Sequence, residues 1–332
     1  MNRPALVALL AISITAIPSG STAQEAPDVS KTWDVVYANA GDAELRLDLV
    51  QPATAKAAGP AVVVIHGGAW REGAKEENRK LLVDFARRGY VAISPQYRFS
   101  PKDRFPAPVL DVKAAVRWLR SNASSLKVDP MRIGAMGFSA GGHLALMLGL
   151  TGPEDGFDAG VPASAPSSRV QAVVAFYPPV DLAAPEFTDF AKGLVKDFLG
   201  STAKENPDLA AKASPITFVN RGDASVLLFQ GTSDELVPES GALRFAQALT
   251  RAGVSGRVES SSSSERSTAS RAWSTPRRWP TPSRSSHGTC RRADGGARSP
   301  PADSAVASGY GLGMTIAVPE LSPSESPLAA AL

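Results

Sequence analysis

Apolar residues recur along this chain in two alternating periods. Residues 33–37 and 44–50 read as the strands of a hairpin turning at Gly41-Asp42, because Leu45, Leu47 and Leu49 alternate with Arg46 and Asp48. That is the period of a strand with one wet face. Residues 61–65 are a continuous, mostly β-branched run, Ala-Val-Val-Val-Ile, which marks a parallel strand covered on both faces. The pattern then predicts a helix over 78–88 closed by Gly89, and a buried strand at 91–94. A helix over 108–121 follows, with Val109, Val112, Val116 and Leu119 on one side. Next come a strand at 132–138 and an Ala- and Leu-rich helix at 141–150. Strands at 170–177 and 226–230 and a helix at 241–251 complete the series, with a mixed helical and loop stretch at 181–214 expected to form a cap. Alternation of this kind over this length implies an α/β fold, a mostly parallel sheet with helices on both faces. In such sheets ligands bind beyond the carboxyl ends of the strands.

Composition narrows the function classes. The chain has 332 residues, 43% hydrophobic and 20% charged, which suits one large domain. A net charge of +3 is too small to argue for a nucleic-acid partner, the more so because much of the arginine lies near the C-terminus. The single cysteine, Cys290, excludes an internal disulfide and a cysteine-based metal site. Residues 1–23 have the order of a signal peptide: a basic start at Arg3, an apolar run over 5–17, and a small-residue cleavage site at Ser21-Thr22-Ala23. The apolar run is too short to span a bilayer, so the expectation is a periplasmic or secreted protein whose domain begins at residue 24 and runs to 258.

Three groups can carry chemistry. Gly137-Phe138-Ser139-Ala140-Gly141 joins the strand at 132–138 to the helix at 141–150. G-x-S-x-G in that setting matches a nucleophile elbow, where a strained turn exposes the serine oxygen above the sheet. His66-Gly67-Gly68-Ala69-Trp70 directly follows the strand at 61–65. Its glycines let backbone N–H groups approach a developing oxyanion. One donor is expected from Gly67 or Gly68 and the other from Ala140, while His66 is expected to hold the loop rather than act as a base. Gly231-Thr232-Ser233-Asp234 follows the strand at 226–230, where a carboxylate can orient an imidazole. Asp181 and Glu235 are rivals for that role, and Asp223 precedes its strand and so falls at the wrong end of the sheet.

Further motifs lie in order around these groups: YRFSP at 97–101, FPAPVLDVKAAVRWLR at 105–120, GFSAGGHLA at 137–145, NPDLAAKASP at 206–215 and GTSDELVP at 231–238. With HGGAW at 66–70, the chain from about 33 to 258 resembles the serine carboxylesterases of the α/β-hydrolase fold. Its likeness is to the branch holding hormone-sensitive-lipase-like and feruloyl or acetyl-xylan esterase-like enzymes. The resemblance implies Ser139 as nucleophile, Asp234 as triad acid, and Gly67, Gly68 and Ala140 as oxyanion donors. It implies a small-molecule or polysaccharide-linked ester substrate and no metal or organic cofactor. His143 matches a histidine often found in the family's GGH run and is expected to be structural. An amidase or arylformamidase of the same fold, or a non-catalytic binding protein, remains an alternative.

The pattern breaks after residue 258. The family expects a last strand, a His-Gly-Phe-like loop carrying the base about thirty residues after the acid, and a closing helix. Residues 259–305 contain no Leu, Ile, Val, Phe, Met or Tyr, which points to a low-complexity tail over 259–332 with the last strand and helix missing. A shift of reading frame near 258–260 accounts for both features. If each codon is rebuilt from the third base of one codon and the first two of the next, Ser267-Thr268-Ala269-Ser270 permits His-Gly-Phe, as from AGC ACG GCT TCN. The Trp279-Pro280 junction then yields alanine without choice, because Trp has the single codon TGG. Residues 259–264 permit an apolar strand and 276–286 an amphipathic helix in the same frame. In the chain as written, His287 is the single histidine after Asp234, a weak candidate for the base because no strand is expected to position it.

Overall fold

The computed structural model describes residues 28–261. An eight-stranded sheet runs in the order β1-β2-β4-β3-β5-β6-β7-β8. Its strands are β1 (Val29–Ala40), β2 (Ala43–Pro52), β3 (Gly59–Ile65), β4 (Val91–Pro95), β5 (Val128–Phe138), β6 (Ala172–Phe176), β7 (Ser225–Gly231) and β8 (Gly256–Ser261). β2 pairs antiparallel with both β1 and β4, and every pairing from β4 to β8 is parallel. The helices are α1 (Arg79–Arg87), α2 (Ala107–Ser121), α3 (Ala123–Leu126), α4 (Ala140–Leu150), α5 (Asp189–Leu199), α6 (Pro207–Lys212) and α7 (Glu239–Ala252).

Side chains alternate to opposite faces of a strand, and the core divides accordingly. On one face, Val63, Ile65, Ile93 and Ala135 pack with Val112, Val116 and Leu119 of α2, Leu144 and Leu148 of α4, and Phe245 of α7. On the other, Val62, Val64 and Ala92 meet Leu81, Leu82 and Phe85 of α1. The β-branched run in β3 is fully buried because both its faces are covered. Helix α4 is buried along its whole length, so its sequence is apolar all round instead of striped.

One expectation is corrected here. The last strand is not missing, since β8 pairs with β7 in continuous register from Val226↔Gly256 to Gly231↔Ser261. A ladder is made by backbone groups, so a serine run can form an edge strand when one side chain, Val258, packs on the core. The expected closing helix, the signal peptide at 1–23 and the remainder of the tail, including His287, lie outside the described residues.

Candidate active site

Ser139 is the first point at which the chain leaves β5, and it does so at φ 52°, ψ −118°. A non-glycine residue at positive φ is strained. Two hydrogen bonds hold it there: Ser139 N–H donates to Phe176 O at 2.9 Å, and His143 N–H donates to Ser139 O at 3.0 Å. The flanking glycines are required by space. A Cβ on Gly137 would lie 2.2 Å from Gly141 O, and one on Gly141 would lie 2.3 Å from Ile65 O and 2.4 Å from His66 O. Strand, helix and the end of β3 therefore converge where only hydrogens fit.

The loop after β3 lies against this turn. A Cβ on Gly67 would stand 3.0 Å from Phe138 O and 3.6 Å from Ser139 Cβ, so the Gly67 backbone is a direct neighbour of the serine. Gly68 has φ 111°, and a side chain there would strike Glu72 O at 2.1 Å. Ala140, the first residue of α4, is buried beside them. Tyr97, from the end of β4, supports the loop from below by donating to His66 O at 3.1 Å and Gly67 O at 3.2 Å. His66 stacks on Tyr97 with centroids 4.4 Å apart, and its Nδ1 faces Gly67 O at 2.7 Å. Burial pulls its pKa down to about 4, and Nε2 has no hydrogen-bond partner among the described residues.

Asp234 lies three residues beyond β7. Phe138, Phe176 and Phe229 are in register across β5, β6 and β7, so the serine and this aspartate emerge at the same end of the sheet. Leu236 N–H and Val237 N–H donate to Asp234 Oδ1 at 3.0 and 2.9 Å, which orients the carboxylate with its own loop. The rival acids are engaged elsewhere: Asp181 is 3.4 Å from Arg244, and Asp223 is 2.7 Å from Arg169. Glu235 is exposed. The sequence reading did not single out Tyr177, which follows β6 at φ 40° and donates its N–H to Phe229 O at 2.6 Å. Burial raises its phenol pKa, and the negative charge of Asp234 raises it further. Its place at the end of the strand between Ser139 and Asp234 was the available signal.

No imidazole reaches Ser139 among the described residues. His66 is committed to its loop, and His143 is fully buried between Trp70 Nε1, 3.2 Å from Nδ1, and Ala213 O, 2.7 Å from Nε2. The carboxylates of Asp34, Asp48 and Glu76 approach one another, but the Lys75 ammonium stands among them, 2.8 Å from Asp34 and 3.0 Å from Asp48. Arg79 adds a 2.6 Å contact to Asp48. A cavity of about 630 Å³ opens beside residues 96–104 and the β1–β2 turn. Ser139, Gly67 and Asp234 do not line it, so it is not the reacting centre. Among the described residues no helix is long and apolar enough to cross a membrane.

A serine on a strained strand-to-helix turn, in an open and mostly parallel sheet, defines the α/β-hydrolase fold. The chain belongs to the BD-FAE family, whose model matches residues 47–249. It is 33% identical over 194 residues to Esterase LipC and 30% identical over 230 residues to the probable carboxylic ester hydrolase LipM, both of Mycobacterium tuberculosis. Those matches take in 57% and 67% of this chain. The chain spans about half the length of these curated relatives, 48% and 52%. Among solved structures it is similar to the propionate-bound esterase Est2 of Thermogutta terrifontis, with TM-score 0.58 and 28% identity over 72% of this chain and 84% of that one. A truncated carbohydrate esterase from gut microbiota gives TM-score 0.61 and 29% identity, over 72% of this chain and 89% of that one.

Proposed function

We propose that this protein is an exported serine hydrolase of carboxylic esters, acting through an acyl-enzyme. Ser139 Oγ attacks the ester carbonyl, and the N–H groups of Gly67, Gly68 and Ala140 receive the charge on the tetrahedral oxygen. A histidine takes the serine proton and passes it to the leaving alcohol, and Asp234 holds that histidine in the required tautomer. Water then releases the acyl group. The observation that carries this reading is the left-handed Ser139 turn pressed against Gly67, with Asp234 at the same end of the sheet beyond the next strand but one. The names of the relatives, esterases and a carboxylic ester hydrolase, support the reaction class. A substrate bearing a short acyl group, on a small alcohol or a polysaccharide, fits the propionate complex of Est2 and the carbohydrate esterase from gut microbiota.

Among the described residues no histidine is free to act as the base. We infer that a frameshift near residues 258–260 removed the base, because the alternative frame permits a His-Gly-Phe loop and a helix in the order the fold requires. Resequencing the gene across codons 257–270 tests this directly. The frame-restored chain should turn over p-nitrophenyl acetate and lose turnover on Ser139→Ala, while the chain as written should give no more than slow release. Ordinary esterase rates from the chain as written, abolished by His287→Ala, would show that the tail supplies the base. A second reading, a binding protein without turnover, is favoured by the committed state of both described histidines. It holds if neither frame releases nitrophenolate.

A further inference from the structure

The loop 66–70 keeps an unfavourable backbone shape. Ala69 and Trp70, at φ 50° and 57°, are consecutive non-glycine residues in the left-handed region, directly after Gly68. Each such residue opposes the loop, so contacts outside the loop must hold it. Ser100 supplies two of them, donating to Trp70 O from its N–H at 2.8 Å and its Oγ at 3.2 Å. Tyr97 supplies two more, to His66 O and Gly67 O, and others come through the Trp70 side chain, which is 3% exposed. Its indole stacks on Phe198 of α5 with centroids 4.2 Å apart and planes at 10°. Its N–H donates to His143 Nδ1 at 3.2 Å.

His143 lies one turn along α4 from Ser139 and is fully buried. An indole N–H can only donate and a carbonyl can only accept. The hydrogen of His143 therefore sits on Nε2, facing Ala213 O at 2.7 Å, and the lone pair sits on Nδ1. Burial keeps the ring neutral, with its pKa drawn down to about 4. One imidazole thus joins three elements: the helix that begins at the serine, the loop that carries Gly67 and Gly68, and the 181–214 stretch through Ala213.

We propose that His143 is a positioning residue, which acts through Trp70 to hold the Gly67–Gly68 backbone against Ser139 and ties that backbone to the segment folded over α4. The proposal rests on the esterase reading for its functional meaning. A leucine at 143 fills space but offers neither acceptor nor donor. Glutamine offers both.

Four full-length chains test it: wild type, His143→Leu, His143→Gln and Trp70→Phe. Two readouts are needed. The first is amide hydrogen exchange at Arg71 and Glu72, whose N–H groups donate to Gly68 O at 2.9 and 3.1 Å. His143→Leu and Trp70→Phe should lower their protection about tenfold while β5 amides are unchanged, as expected for a local opening. His143→Gln should restore most of it. The second readout is the single release of nitrophenolate when an ethyl p-nitrophenyl phosphonate reacts with Ser139. The limiting rate should fall about tenfold or more in the Leu and Phe variants, with half-saturation little changed, as for a misaimed oxyanion donor. Unchanged protection at Arg71 and Glu72 in both variants would overturn the proposal. If His143→Leu unfolds, Trp70→Phe decides, since it leaves α4 intact. The phosphonate reaction is run on the frame-restored counterparts as well: if none of those reacts, the esterase reading fails, while the exchange result on the chain as written still judges the positioning role.

Discussion

The middle of the sheet and its β7–β8 side are built to different standards. In β3, residues 61–65 are no more than 1% exposed, and β5 meets α4 with no room for a Cβ at Gly137 or Gly141. In β7, buried and half-buried residues alternate, and β8 has no fully buried residue at all. Gln230, at the end of β7, leaves Oε1 buried without a partner among the described residues. The groups proposed to receive negative charge belong to the rigid middle. The group proposed to orient the base belongs to the other side, just where the sequence departs from its pattern. The proposed nucleophile and oxyanion loop thus rest on packing that does not depend on the side of the sheet where proton transfer would be organised.

That contrast can be broken from either side. In the frame-restored chain Asp234→Asn should lower kcat by about ten-thousandfold, because the imidazole loses its tautomer control. Steady-state kinetics on p-nitrophenyl acetate would detect it, and full activity would move the role to Asp181 or Glu235. Gly141→Val should destabilise the middle by about 4 kcal/mol or more, since its Cβ meets two carbonyl oxygens at 2.3 and 2.4 Å. Urea unfolding measures that loss.

The pH dependence should also report the middle. Burial lowers the pKa of His66 and His143 from 6.5 to about 4, so the unfolded chain binds their protons first. Stability should therefore fall as pH drops from about 6.5 to about 4, by about 3 kcal/mol for each histidine, and these groups should have no effect above that window. Denaturant midpoints across pH 4.5–7.5, about six buffers, would follow it, and His143→Gln should flatten part of the slope. The smallest effect belongs to β8, where Val258→Ala should cost about 1 kcal/mol because the side chain is half exposed. A loss as large as that at Gly141 would mean that the edge is as tightly built as the centre.

The local patterns carried much of the fold, because their physical causes are local. The β-branched run at 61–65, the stripe of α2 and the Gly-x-Ser-x-Gly turn are each legible from side-chain shape and spacing. The choice of Asp234 over Asp181 was also open to argument, and the structure adds what the sequence could not show, a contact of Asp181 with Arg244. Other features required distant segments to meet. Nothing near Ser260 announces an edge strand, because its ladder depends on the free side of β7, far back in the chain. Nothing around His143 shows that its two nitrogens are taken by Trp70 and Ala213, each about seventy residues away. Sequence determined which residues can do chemistry and where the backbone must turn, since those follow from covalent structure and short-range sterics. Tertiary structure alone decided which polar groups are already satisfied, because a buried hydrogen bond exists only where packing brings both partners together and excludes water.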